Sequence, residues 1–211
     1  MRYYIADCHF FHEALNREMD HRGFASVEEM NEYMIKRWNE KVRNRDEVVI
    51  LGDLSMGNAE QTNALLDRLQ GKLFLIVGNH DNRYLRSKTF HKERFGWIYP
   101  YAELHDDGRK VVLSHYPIAC YNGQYLKNKK GEPRTYMLYG HVHDSHDERL
   151  IEQYQQMVEK TRIPDRDGGT QSLSSHMINC MYSDYQPLSL DEWIALTKQR
   201  LIRCQNVEDS L

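Results

Sequence analysis

The sequence predicts an α/β fold, and three observations carry that expectation. Short apolar runs rich in β-branched and aromatic residues, at 2–6, 47–51 and 72–77, have the length and content of buried strands. Helix signals stand between them, at 26–44 and 58–70, and this alternation implies right-handed crossovers and a largely parallel sheet in the first half. Finally, each strand-like run breaks into a short polar group containing Asp, Asn or His, at the strand end where α/β sheets place their ligands.

Taken in order, Arg2–Ala6 is a first strand delivering Asp7 and His9, whose i, i+2 spacing puts both side chains on one face. Cys8 between them should point the other way and pack. His12 can reach a substrate, or it can simply open a helix. Ser26-Val27-Glu28-Glu29 is a capping box for a scaffold helix running to about Asn44. Glu47–Leu51 is a buried strand ending in Gly52-Asp53, and Asn58 starts a helix that Gly71 stops. Lys72–Val77 is the third strand, broken by Gly78 so that Asn79-His80-Asp81 sits on a turn. These donor groups then share one edge.

The second half reads differently. Residues 97–104, the turn Asp106-Asp107-Gly108 and residues 109–114 form a hairpin pattern closed by His115, so antiparallel pairing is expected there. Residues 121–134, with Lys127, Lys129 and Lys130, are a polar surface loop. Thr135–Tyr139 is a strand delivering Gly140-His141-Val142-His143, two imidazoles able to enter one pocket. Residues 144–171 are an excursion with a helix at 147–160, a candidate lid over the site. His146 and His176 read as surface or hydrogen-bonded residues. Residues 177–180 form a late strand, and Ser189–Glu192 caps a last helix through Leu201.

The 211 residues fit one domain, 1–211, with the polar stretch 144–171 as its excursion. A net charge of -3 gives no general attraction to nucleic acid or to anionic membranes. No apolar run approaches the roughly 18 to 20 residues that span a bilayer. The first strand begins too early for a signal peptide, and four cysteines without C-x-x-C spacing read as reduced thiols, so a cytoplasmic location is expected.

Seven donors stand at the strand ends: Asp7, His9, Asp53, Asn79, His115, His141 and His143. They are too many for one tetrahedral ion and enough for two. Carboxylate, amide and imidazole without thiolate suit two divalent ions such as Mn, an Fe/Mn pair or Zn, and argue against a closed structural zinc site. Two ions about 3.5 to 4 Å apart clamp the attacking and leaving oxygens of an in-line displacement at phosphorus, with a bridging water as the attacking group. Asp53, from a central strand, is the carboxylate best placed to bridge. His80 is left over, and a spare imidazole can protonate the departing alkoxide. Asp81 either orients His80 or stabilises the turn; His12, Arg83 and Tyr116 are candidate substrate contacts.

Asp7-x-His9, Gly52-Asp53, Gly78-Asn79-His80-Asp81, Ser114-His115 and Gly140-His141-x-His143 occur in an order and spacing that resemble the calcineurin-like metallophosphoesterase superfamily. The resemblance implies a four-layer α/β/β/α sandwich with mixed sheets. It implies one ion on Asp7, His9, Asp53 and His143, another on Asp53, Asn79, His115 and His141, and a catalytic role for His80. Asp7-x-His9-Phe10-x-His12, residues 26–31, Trp38-Asn39 and residues 188–192 are similar to small bacterial and phage phosphoesterases. The block continues Leu54-Ser55-Met56-Gly57, and Asp81 stands where Glu is common, which disfavours protein phosphatase activity; His80 in place of Arg disfavours a lipid A pathway pyrophosphatase. The expected function is therefore metal-dependent hydrolysis of a phosphate ester, with monoester, diester and nucleotide substrates all left open by the sequence and a catalytically silent scaffold on the same fold as the alternative.

Overall fold

The computed structural model describes residues 1–165 and 167–208, the side chains of Met19 and of 203–208 excepted. Two four-stranded sheets face each other. The first has the order β1 (Arg2–Ile5), β2 (Glu47–Ile50), β3 (Lys72–Ile76), β4 (Phe95–Tyr99), all parallel. The second has the order β10 (Met177–Asn179), β7 (Thr135–Tyr139), β6 (Arg109–Ser114), β5 (Tyr101–Asp106). A small hairpin of β8 (Arg162–Pro164) and β9 (Thr170–Ser172) stands apart from both.

Why the strands are apolar almost without interruption follows from their alternation: each sheet is covered on both faces. In the first sheet Tyr3, Val48 and Leu73 are register partners facing one way, packed with Met34 and Trp38 of α1 (Val27–Lys41) and Leu66 of α2 (Ala59–Arg68). Tyr4, Val49 and Ile76 face the other way, against Val111, Leu113, Leu138 and Ile178 of the second sheet. The outer face of the second sheet presents Val112, Met137 and Met177, with Ile151 and Tyr154 of α4 (His146–Lys160) packed against it. The layers are therefore helix, sheet, sheet, helix, as the resemblance implied. Leu190 and Trp193 of α5 (Leu190–Glu208) enter the core between the sheets, and Trp193 Nε1 donates to the Tyr4 carbonyl at 2.9 Å.

Helix starts follow the capping signals. Ser26 accepts from Glu29 N–H at 3.1 Å, Asn58 and Gln61 form a full capping box, and Ser189 exchanges bonds with Glu192.

Three expectations need correction. The run 97–104 is not one hairpin arm: it breaks at Pro100, so that β4 joins the first sheet and β5 the second. Within the second sheet only β5 and β6 pair antiparallel; β6–β7 and β7–β10 are parallel, because the long connections after β6 and β7 allow a crossover. The stretch 144–171 is no lid, since α4 is laid along the outer face of the second sheet and fixed there. Tyr139 donates to Glu148 at 2.8 Å and Met177 N–H to Gln155 at 2.7 Å. Cys8 is buried in the core under α1, where burial pushes its thiol up to about 12. Among the described residues no helix is long and apolar enough to cross a membrane.

Candidate metal centre

The site is built by the turns that follow β1, β2, β3, β6 and β7, which all open at one rim. These turns are strained. Asp7, His9, Asp53, His141 and His143 adopt φ of 52°, 50°, 52°, 72° and 50°, left-handed conformations that non-glycine residues seldom occupy and that gather at functional sites. The glycines preceding them serve close approach. A Cβ on Gly78 would overlap the Asp53 carboxylate, one on Gly140 the Asp7 carboxylate, and one on Gly52 the His115 ring.

The structure brings all seven expected donors together. Asp7 Oδ1 lies 3.8 Å from both His9 Nε2 and His143 Nε2, and those two nitrogens are 3.2 Å apart. Asn79 Oδ1 lies 2.9 Å from His115 Nε2 and 3.0 Å from His141 Nδ1. Asp53 Oδ2 stands between the two groups, 3.6 Å from His9 Nε2 and 3.5 Å from His115 Nε2. Asp7, His9 and His143, and separately Asp7, Asp53 and His115, converge closely enough to share an ion.

Backbone contacts aim these groups. His115 Nδ1 donates to the Leu51 carbonyl at 2.8 Å, which leaves the Nε2 lone pair facing the centre. His141 N–H donates to Asp7 Oδ2 at 2.9 Å, and His80 N–H to Asp53 Oδ1 at 2.9 Å, so each carboxylate spends one oxygen on the scaffold. Asp7 Oδ1 is left buried with no hydrogen-bond partner among the described residues, as is His9 Nδ1. Burial pushes the Asp7 carboxyl up to about 6. Burial also opposes ionisation of Asp53, but the hydrogen bond and charge of His115 outweigh it and hold that carboxyl at about 2. For His143, burial works against a charged ring, and the contacts with Asp20 and Asp7 overcome it and raise the pKa. An orphaned carboxylate oxygen facing clustered imidazole nitrogens fits a divalent cation.

His80 is half exposed at the mouth of the site, with Nε2 3.9 Å from Asp53 Oδ2. Asp81 does not orient it. Its carboxylate is completely buried and filled by Gly78 N–H at 2.7 Å, Asp53 and Leu54 N–H at 3.0 Å each, and the Tyr84 hydroxyl at 2.7 Å, so it ties two ligand-bearing turns together. His12 lies beside the site, its ring 5.6 Å from His9 and 6.4 Å from His80, while its Nδ1 accepts Leu15 N–H. Tyr116 is exposed at the rim with its ring 4.5 Å from His141. Arg83 is exposed on α3 (Asn82–Leu85), where its N–H donates to the His80 carbonyl.

Sequence reasoning missed Asp20 and Arg22. Asp20 follows a π-helical turn at Leu15–Met19 and places both carboxylate oxygens 3.1 Å from His143 Nδ1. Arg22 holds Asp20 at 3.2 Å and donates to the carbonyls of Cys8 and Asp7. The only signal in the sequence was their place in the loop that follows Asp7-x-His9.

A rim of carboxylate, amide and imidazole donors at the strand ends of a two-sheet sandwich is the donor set of a protein that holds divalent metal ions. The family model of calcineurin-like phosphoesterases matches residues 3–192. A curated relative, an uncharacterized protein of Methanocaldococcus jannaschii, is 31% identical over 207 residues, covering 97% of this chain and 96% of its own length. The Gene 66 protein of Mycobacterium phage L5 is 28% identical over 167 residues, 67% of this chain and 76% of its own. A crystal structure of a protein of unknown function from Aquifex aeolicus superposes with a TM-score of 0.63 at 23% identity, covering 93% of this chain and 98% of that one, and shows the same fold. The chain belongs to the calcineurin-like phosphoesterase family. With the clustered Asp and His donors, that membership makes it a metal-dependent phosphoesterase.

Proposed function

We propose that the chain hydrolyses phosphate esters at a dinuclear centre. Asp7, His9, Asp53 and His143 hold one divalent ion, and Asp53, Asn79, His115 and His141 hold the other. Manganese or an iron and manganese pair suits this donor set, with zinc as a third choice. The observation that carries the reading is the place of Asp53 Oδ2, within 3.6 Å of a nitrogen from each group, which suits a bridging carboxylate. When bound, two such ions supply a water of lowered pKa as nucleophile and neutralise charge on the phosphoryl oxygens.

The chain's own residues do the rest. His80, exposed at the mouth and anchored through its N–H to Asp53 Oδ1, donates a proton to the departing oxygen. Asp81 keeps the turn carrying Asn79 and His80 in register with the turn carrying Asp53. Tyr116, beside His141, and His12, beside His80, are placed to touch the ester's organic group. The reaction takes place in the cytoplasm, to which free thiols at Cys8, Cys120 and Cys180 are suited.

Purified protein loaded with Mn²⁺ is expected to hydrolyse an aryl phosphate ester. Asp53→Ala should abolish that activity in a protein that still unfolds cooperatively. His80→Ala should slow it by about 10² to 10⁴ while metal content stays unchanged. Equal rates for wild type and Asp53→Ala would contradict the proposal. Running aryl monoester and diester substrates side by side assigns the preference between them.

A further inference from the structure

The two groups of donors are not supported alike. The imidazole of His115 is backed by a neutral peptide carbonyl, Leu51, on the rigid end of β2. The imidazole of His143 is backed by a carboxylate, and that carboxylate comes from the loop between β1 and α1. Asp20 reaches His143 Nδ1 with both oxygens at 3.1 Å. It is itself gripped by Arg22, whose Nη2 and Nε lie 3.2 and 3.3 Å from Asp20 Oδ2.

Arg22 is anchored by more than its charge. Its Nη1 donates to the Cys8 carbonyl at 2.7 Å and Nη2 to the Asp7 carbonyl at 3.1 Å, its side chain is 4% exposed, and the Tyr185 ring lies over it at 5.1 Å. The guanidinium therefore fixes Asp20 relative to Asp7, on the same turn that carries Asp7 and His9. The His143 backbone is held independently, its carbonyl accepting from Asn179 Nδ2 and the Tyr182 hydroxyl at 3.3 Å each. What remains free is rotation of the imidazole about its own side-chain bonds. Asp20 is the group that arrests it.

We propose that Asp20, braced by Arg22, is a positioning residue for His143: its carboxylate accepts the Nδ1–H hydrogen bond and so fixes the ring with Nε2 turned toward Asp7 Oδ1 and His9 Nε2. A carboxylate behind a ligating histidine fixes its tautomer and raises its basicity, and loss of such a partner typically weakens metal binding by 10- to 100-fold. The effect belongs to one ion of the pair, because among the described residues nothing connects Asp20 to the Asn79, His115 and His141 group except through Asp53 and Asp7. This inference rests on the dinuclear reading above, and the experiment separates the two.

Metal-free full-length protein is titrated with Mn²⁺ by calorimetry, as wild type, Asp20→Ala, Asp20→Asn, His143→Ala and the Asp20→Ala/His143→Ala double variant. Wild type should show two binding events. In Asp20→Ala one event weakens 10- to 100-fold and the other keeps its affinity. Asp20→Asn weakens the same event less, since an amide oxygen still accepts the hydrogen bond from Nδ1–H, and it carries the test if the alanine variant does not fold. Adding Asp20→Ala to His143→Ala should change nothing further, which a general structural role would not satisfy. Unchanged affinity in both Asp20 variants, equal weakening of both events, or a further loss in the double variant would overturn the assignment. A single event in wild type would end the dinuclear reading, and the Asp20 assignment would then stand if Asp20→Ala weakens that event and fall if it does not.

Discussion

At the scale of single residues, the donors were legible because each sits within a few positions of a strand end, although the left-handed turns that aim Asp7, His9, Asp53, His141 and His143 carry no strand period. Asp7, Asp53 and His115 needed nothing beyond that position. Asp81 shows the limit of such reading: the sequence left it between orienting His80 and holding the turn, and the structure gives it four hydrogen bonds and complete burial. Asp81→Ala would orphan three buried N–H donors and the Tyr84 hydroxyl, so unfolding in denaturant should reveal a loss of about 3 to 5 kcal/mol. A loss under about 1 kcal/mol would mean that the carboxylate is not the clasp between the two turns. Asp20 was illegible because it follows a π-helical turn, which has no hydrophobic period to read and puts its neighbours out of helical phase.

At the scale of elements, β1, β2, β3, α1 and α2 follow from apolar runs and caps because their partners are near in sequence. The second sheet does not. Whether β6 meets β7 in parallel depends on where residues 115–134 cross, and no local pattern encodes that. Pro100 was the available clue for the break between β4 and β5: without an N–H it cannot continue a ladder, and one extended arm through it was the weaker reading. The helix α4 was expected at 147–160 within a polar excursion, but its polar composition concealed a buried contact, Glu148 with Tyr139 and Asn179. That contact places the helix on the sheet rather than over the site.

At the scale of the whole molecule, stability should depend on pH through His176, which is remote from the donor cluster. Its ring packs on Tyr136, its Nε2 is buried without a partner among the described residues, and burial lowers its pKa to about 4. Between the ordinary histidine value near 6.5 and about 4 the unfolded chain takes up a proton that the folded chain refuses, so stability falls as pH falls through that window. Thermal unfolding midpoints measured from pH 7 to pH 4 should drop less steeply for His176→Leu than for wild type. Parallel slopes would contradict the assignment. His176 stands just before β10, beside Tyr136 at the start of β7, while every donor turn follows the end of a strand, so folding and chemistry can be perturbed separately.

The proposed dinuclear centre requires Asp53 to join two cations. Crystals of the protein grown with Mn²⁺ and measured at the manganese absorption edge test it directly. Two anomalous peaks about 3.5 to 4 Å apart, with the Asp53 carboxylate between them, are the expected result. One peak, or none within reach of Asp53, would contradict it.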